Sequence, residues 1–385
     1  MTSVRRQRPL SLGVIGGALD SAIGQTHYLA SRLDNRWEIT AACYSNDNEI
    51  NVSTAVKQGP DEERLYADWE SLLIAEAGKL DAVLLLTPTP LHSKMATRAL
   101  ELGHAVISEK ALASSLSEAL SIRGTVKNHS GFLTVTYNYS GYPMVRELKE
   151  MIQSGELGTL IHFQVEMPQE GYLRVDSNGN APKPQQWRLS DGEIPTISLD
   201  LGVHAHHLIQ FLSGAVPSEV IASYQQQGHH SGIIDNIHAM IRYGSGLEAQ
   251  LWYGKTSLGH SNGLRFRVYG TKSSAEWFQG NPEQLFISDN KGVTCTVTRA
   301  SASVKISNQK RYERFKAGHP AGFIEAFANL YVDISQALAE HNAEQKWNNS
   351  YVADANVACE GLALFQAMTE SVSTKSWESI KSLEN

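Results

Sequence analysis

The sequence predicts an α/β chain in two parts. Residues 1–137 read as a doubly wound parallel sheet, and residues 138–385 as an α+β domain built on an open, largely antiparallel sheet, its final helices free to pack back on the first part. Three observations carry this expectation. A strand, a glycine-rich turn and a helical segment follow one another within residues 10–33. Apolar strands and helix-period segments then alternate as far as Tyr137, the pattern of a parallel sheet with crossover helices. From Val220 to Val297 the chain changes to short β-rich runs separated by turns.

The bulk properties agree. A chain of 385 residues, 42% hydrophobic and 19% charged, fits a soluble globular protein with two or three domains. A net charge of −7 speaks against a nucleic-acid surface, since the basic residues cluster only at Arg5, Arg6 and Arg8. The apolar run that follows, SLGVIGG, is too brief for a signal peptide or a membrane span. Cys43, Cys295 and Cys359 are isolated and odd in number, so neither a disulfide framework nor a cysteine metal site is expected and the cytoplasm is the default compartment.

Leu10–Ile15 reads as a buried strand that runs into Gly16, Gly17, Ala18, Leu19, Asp20, Ser21, Ala22, Ile23 and Gly24. A helical period follows over Gln25–Leu33. In this context a dinucleotide pyrophosphate sits on backbone N–H groups at the helix N-terminus, as in a Rossmann domain. Gly16 permits the tight turn and Gly24 the close approach of helix and strand. Trp37–Tyr44 is a second strand, Ala67–Ala77 a helix and Leu80–Leu86 a strand apolar throughout, as burial on both faces demands. Thr87, Pro88 and His92 lie at its carboxyl end, the edge where open α/β sheets bind ligands. Helices over Ser93–Leu102 and Ser115–Asn128 alternate with strands over His104–Ile107 and Phe132–Tyr137. Ser45 and Asn46 end the second strand where an acid would hold the ribose of NAD, and Asp47 comes two positions late. With no arginine there for a 2′-phosphate, NAD is expected ahead of NADP.

Beyond Tyr137 a turn-rich crossing (Asn138–Pro143) leads to a helix over Met144–Ser154 and a strand over Gly158–Met167. The Pro- and Gly-rich segment Gln169–Lys183 reads as a covering loop, closed by Trp187 and Arg188. A tryptophan face suits the apolar side of a sugar ring and an arginine suits a carboxylate or hydroxyls, although a loop anchor reads the same way. In Ser198–His207, SLDLGVHAHH, Asp200 and His204 stand four residues apart and share one helix face. A carboxylate beside an imidazole can move protons near neutral pH. Gly202 marks the stretch as a first turn capped by Ser198 or Asp200, and on these residues alone Asp200 is equally a mere cap. No metal is expected: His206 and His207 diverge on a helix and cannot join His204 in a zinc site. Amphipathic helices over Ala321–Leu338 and Tyr351–Ser371 finish the chain, and the polar tail after Lys375 is expected to fray.

Four ordered motifs then resemble one family. Gly16, Gly17, Ile23, Gly24 and His27 are followed by Thr87, Pro88 and His92, by Glu109 and Lys110, and by Asp200, Gly202 and His204. Over roughly residues 10–370 this order resembles the Gfo/Idh/MocA oxidoreductases, relatives of glucose–fructose oxidoreductase and inositol dehydrogenase. The resemblance implies hydride exchange between NAD(P) and a secondary alcohol of a sugar, inositol or polyol, with Lys110, Asp200 and His204 as the catalytic trio. It implies cofactor contacts from Gly16, Gly17, Ala18, Ser21, Ile23, Gly24, Ser45, Asn46, Thr87, Pro88, His92, Glu109, Lys110 and Asn138. Substrate contacts are implied at Tyr142, Trp187, Arg188 and His319 beside the trio, and a homodimer or homotetramer through the second sheet. The same machinery also serves glycosidases that oxidise transiently and non-catalytic cofactor-bound sensors. The sequence departs from the family pattern in two places. Ala111 stands where the family has proline, which predicts a looser loop after Lys110. Ala18 and Asp20 stand in the glycine turn, where Asp20 would repel a pyrophosphate unless turned outward.

Overall fold

The computed structural model describes residues 8–383. Arg5 and Arg6 lie outside the described residues, while Arg8 pairs with Asp81 at 3.1 Å. The described chain divides into two compact units. The first takes in residues to Ala113, Glu118–Asn138 and Phe323–Ala355, and the second Ser114–Ser117, Tyr139–Gly322 and residues from Asn356.

In the first unit, β1 (Leu10–Gly16), β2 (Trp37–Cys43), β3 (Ala82–Leu86), β4 (Val106–Glu109) and β5 (Leu133–Thr136) form a wholly parallel sheet in the order β2-β1-β3-β4-β5. All five residues of β3 are buried, which explains its uninterrupted apolar run. The helices are α1 (Ala22–Leu33), α2 (Asn48–Gln58), α3 (Trp69–Ala75), α4 (His92–Glu101) and α5 (Leu116–His129). The sequence reading does not contain α2. Asp47 caps it, its carboxylate accepting from the N–H groups of Glu49 and Ile50.

The second unit continues with α6 (Pro143–Gln153), β6 (Leu160–Pro168), α7 (Val203–Ser213) and β7 (Pro217–Gln225). Then come β8 (Asn236–Tyr243), β9 (Glu248–Gly254), β10 (Arg265–Gly270), β11 (Ser273–Phe278), β12 (Gln284–Asp289) and β13 (Thr294–Thr298). Helix α8 (Phe323–Glu344) rejoins the first unit, α9 (Ala355–Thr374) lies almost wholly in the second, and β14 (Glu378–Ser379) ends it. The nine strands run in the order β13-β12-β11-β10-β6-β9-β8-β7-β14, antiparallel except for β6 against β9. Ile161, Met240, Tyr269 and Phe286 stand exposed on these strands, the sheet to which the sequence reading assigns subunit contact.

One expectation is corrected. The tail after Lys375 does not simply fray: Glu378 and Ser379 pair with Val220 and Glu219 of β7, and Trp377 packs under the Arg242 guanidinium at 4.0 Å. An open edge strand and an aromatic anchor offset the ordering cost of a polar segment. The boundary drawn at 137/138 left the final helices free to pack back on the first domain, and α8 does so while α9 stays almost wholly in the second unit. From α8, Phe327, Tyr331, Ile334 and Leu338 complete the first unit's core with Tyr28 and Trp37, and the Trp37 indole donates to the Tyr331 carbonyl at 3.0 Å.

Candidate active site

In the first unit the carboxyl ends of β1, β3 and β4 share one edge, since Gly16 registers with Leu86, and Leu85 with Ser108. The sheet order reverses between β1 and β3, the crevice where open α/β sheets take ligands. Gly16 and Gly17 have φ of 83° and 75°, conformations that side chains resist. A Cβ on Gly24 would stand 2.5 Å from the Gly17 carbonyl oxygen, so the helix could not start this close to the strand with any larger residue. The Tyr28 hydroxyl donates to the Gly17 carbonyl at 2.5 Å, and Ser21 caps α1 by accepting from the Gly24 N–H at 3.1 Å. Ala18 and Ile23 pack against the core, while Asp20 is exposed. This turn, opened by two bare glycines and followed by a capped helix, fits a dinucleotide pyrophosphate. At the end of β2, Ser45 accepts from the Asp47 N–H at 3.0 Å and Asn46 is exposed. The Asp47 carboxylate is engaged as the α2 cap rather than offered to a ribose.

A second fitted group lies after β5. Asn138 is 2% exposed and its Nδ2 has no partner among the described residues, which suits it to a polar ligand.

Lys110 follows β4 and is half-buried. His92, fully buried, holds the segment behind it: Nδ1 meets the Ala111 carbonyl and Nε2 the Thr87 carbonyl, each at 2.7 Å. Burial keeps the His92 imidazole below its usual range, against the pull of those carbonyls and of Glu109. The imidazole sits between the turn after β3 and the segment after Lys110, its one N–H donating to one of the two carbonyls, and Ala111 is 1% exposed. Ala111 is thus packed into place without the family's proline. Pro88 is exposed beside it. Glu109 turns into the unit, where its Oε1 meets His27 Nε2 at 3.1 Å and accepts from the Thr136 hydroxyl. His27 Nδ1 meets the Tyr331 hydroxyl at 2.7 Å. Burial raises the Glu109 pKa, but the His27 hydrogen bond, with the charges of His27 and Lys110, outweighs it and holds the carboxyl below its usual range.

In the second unit, helical structure begins at Thr196, whose N–H and hydroxyl both donate to Asp191. It passes through a π-turn, Ser198–Gly202, into α7. Ser198 and Asp200 are therefore not caps, which corrects the sequence reading. Ser198 is instead hydrogen-bonded to the Tyr253 hydroxyl at 2.8 Å. Gly202 is required by packing rather than by a helix end, because a Cβ there would lie 2.8 Å from the Tyr253 ring. Single-turn π-bulges recur at functional sites.

Asp200, 8% exposed, receives two cations on Oδ2: Lys255 Nζ at 2.6 Å and Arg188 Nη1. His204, 6% exposed, sits one turn on, edge-on to the Tyr139 ring at 4.8 Å. The Tyr139 hydroxyl accepts from Asn262 at 3.0 Å, and burial pushes this phenol well above its usual range. Tyr142 stacks on Tyr139 and packs against Trp277 in the core. The Arg188 guanidinium lies over the Trp187 ring at 4.6 Å, and the Trp187 indole donates to Gln185. His319 is exposed in the turn from Lys316, its carbonyl held by Arg299. Gly361 of α9 lies against His206, and His207 stacks on Phe211 of its own helix. Burial takes His206 down to about 4, so both bury as neutral imidazoles.

The geometry thus groups Arg188, Asp200 and His204 in one unit, and Gly16, Gly17, Thr87, His92 and Lys110 along one sheet edge in the other. Lys255, which the sequence reading does not single out, joins the first group. A lysine just past a strand end is ordinarily solvated, and only the fold shows that this one is buried.

Among the described residues no helix is long and apolar enough to cross a membrane. Residues 10–137 match the oxidoreductase family with an NAD-binding Rossmann fold, and residues 145–276 match the Gfo/Idh/MocA C-terminal domain. An oxidoreductase from Sinorhizobium meliloti superposes with a TM-score of 0.82 at 30% identity, over 96% of this chain and 99% of that one. The fold is also that of an inositol dehydrogenase homologue from Azotobacter vinelandii solved with NADH and myo-inositol, with a TM-score of 0.85 at 24% identity, over 97% and 98% of the two chains. In sequence the chain is 27% identical over 366 residues to the oxidoreductase YfiI of Bacillus subtilis (strain 168), covering 92% of each. It is 23% identical over 273 residues to the NADP-dependent scyllo-inositol 2-dehydrogenase IolW of the same organism, covering 70% and 69%. The glycine turn, the lysine after β4 and the aspartate and histidine before and within α7 therefore stand in an NAD(P)-dependent oxidoreductase, and the chain belongs to the Gfo/Idh/MocA family.

Proposed function

We propose that the protein reversibly oxidises a secondary alcohol of a sugar, inositol or related polyol. What best supports this reading is the ion-paired, buried Asp200 one helical turn from His204. A carboxylate kept charged beside an imidazole is a fitting partner for removing a hydroxyl proton at neutral pH. His204 takes that proton. Lys110 donates to the same oxygen and steadies the negative charge that develops there, while Asp200 orients the imidazole and balances its charge. Bound NAD(P) supplies the hydride acceptor. Gly16, Gly17, Ser21 and the start of α1 would hold its pyrophosphate, with Ser45 and Asn46 near the ribose and Thr87 and Asn138 toward the nicotinamide. Trp187 and Arg188 offer a flat face and a donor fork to a sugar ring. The relative named for action on scyllo-inositol favours the same substrate class.

A panel of sugars, inositols and polyols, offered with NAD⁺ and with NADP⁺, tests the reading through the absorbance of reduced nicotinamide. At least one cyclic polyol or sugar should reduce cofactor steadily. A protein that binds NADH yet reduces no cofactor across the panel would contradict it.

A further inference from the structure

Asp200 Oδ2 is shared by two cations of different origin. Arg188 belongs to the covering loop, its side chain is 24% exposed, and it leans on Trp187 of the same loop. Lys255 belongs to the sheet. It directly follows β9, and its backbone is pinned on both sides: its N–H donates to the Asp235 carbonyl and its carbonyl accepts from the Tyr172 N–H, each at 2.8 Å. Its ammonium lies 2.6 Å from Oδ2 and 5.2 Å from the centre of the Tyr172 ring, with the residue 9% exposed.

We infer that Lys255 is a positioning residue of the reaction: from the end of β9 it holds the Asp200 carboxylate ionised and fixed in rotation when the Arg188 guanidinium turns away. An ammonium on a strand end has little freedom to leave. A guanidinium on a loop can swing toward water or substrate, and a carboxylate relying on it alone would be oriented only while the loop is down. The inference rests on the proposed role of Asp200 beside His204.

Lys255 and Arg188 bind Asp200, and His204 comes from its own helix. The phenols of Tyr139 and Tyr172 are neighbours, the second pushed up to about 12 chiefly by burial, so both stay neutral near pH 7. Asp191 and Asp235 act on Tyr172 from beyond, and each is engaged by backbone N–H groups, of Thr196 and Ile234 for the first and of Gln227 and Gly228 for the second. An adjacent ammonium favours the ionised carboxylate, so its loss makes Asp200 easier to protonate.

The test compares Lys255→Met, Lys255→Arg and the wild-type full chain on the substrate found in the panel. Lys255→Met should lower kcat about tenfold or more near pH 7 and move the acidic limb of the pH profile up by about one unit or more. Lys255→Arg should recover most of both. Should methionine prevent folding, Lys255→Gln removes the charge while keeping a donor. A neutral variant with the wild-type acidic limb, or an arginine variant no better than methionine, overturns the inference, since a purely structural lysine would move the melting temperature and not that limb. A second readout needs no turnover. The Asp200 carboxyl, labelled with ¹³C and assigned by Asp200→Asn, should titrate at higher pH in the neutral variant, and an unchanged midpoint overturns the inference. If the wild type reduces no cofactor on any sugar or polyol, the proposed function fails, and this titration still decides the role of Lys255.

Discussion

Replacing Lys110 by alanine lowers turnover by at least about a hundredfold, the range typical of a lost acid–base or charge-stabilising group. Local collapse does not explain the loss. Neighbouring Glu109 is fixed by His27 and Thr136, and the Ala111 carbonyl is packed against His92, so the backbone that carries Lys110 is held without its side chain. The glycine turn is likewise untouched, and titration of the variant with NADH by nicotinamide fluorescence should still saturate. Steady-state kinetics on the substrate found in the panel checks the first expectation. Near-normal turnover would remove Lys110 from the catalytic trio.

Replacing Asp200 by alanine has two consequences that separate cleanly. Turnover falls because His204 loses its carboxylate neighbour. Stability also falls, because Lys255, with 11% of its side chain exposed, and Arg188 converge on one carboxylate oxygen and would be left facing each other. Stripping one partner from a buried ion pair costs up to about 3–5 kcal/mol. The figure here belongs at the lower end, since Arg188 sits near the rim and can turn toward water. For a unit of this size, about 2–4 °C of melting temperature goes with each kcal/mol. Thermal unfolding of the variant should therefore start several degrees early. A variant with wild-type melting would mean that the two cations hold each other apart without Asp200, and the electrostatic account of this site would fail.

Much of the first unit was legible because parallel strands buried on both faces must be apolar throughout, as β3 is. The antiparallel run from β7 to β13 announced itself through alternation and turns. What escaped did so for physical reasons. In α2 the buried positions are Asn51, Thr54 and Ala55, while Val52 is exposed, so the usual sense of amphipathic patterning is reversed. Its clearest signal was Asp47, which was weighed as a ribose ligand rather than as a cap. That a final helix can return to the first unit was open from the sequence; that α8 is the one depends on Tyr331 finding His27 and Trp37, contacts about three hundred positions apart that no local period encodes.

The site shows the same division. Lys110, Asp200 and His204 could be named from motif order. That Asp200 lies within a π-turn could not, since the turn depends on Ser198 meeting Tyr253 and on the Tyr253 ring filling the space that a side chain at 202 would need. Lys255 was invisible for a related reason: its role comes from the loop strand at Tyr172 and the π-turn closing over it, not from its sequence neighbours.

The central claim is that the Lys110 amine and the His204 imidazole act on one alcohol oxygen, with Asp200 behind them. A crystal structure of the full chain with NADH and the substrate identified in the panel measures this directly. The account predicts Lys110 Nζ and a His204 ring nitrogen each at about 2.6–3.2 Å from the same substrate oxygen. Either group more than about 6 Å from that oxygen, roughly two hydrogen-bond lengths, would contradict it.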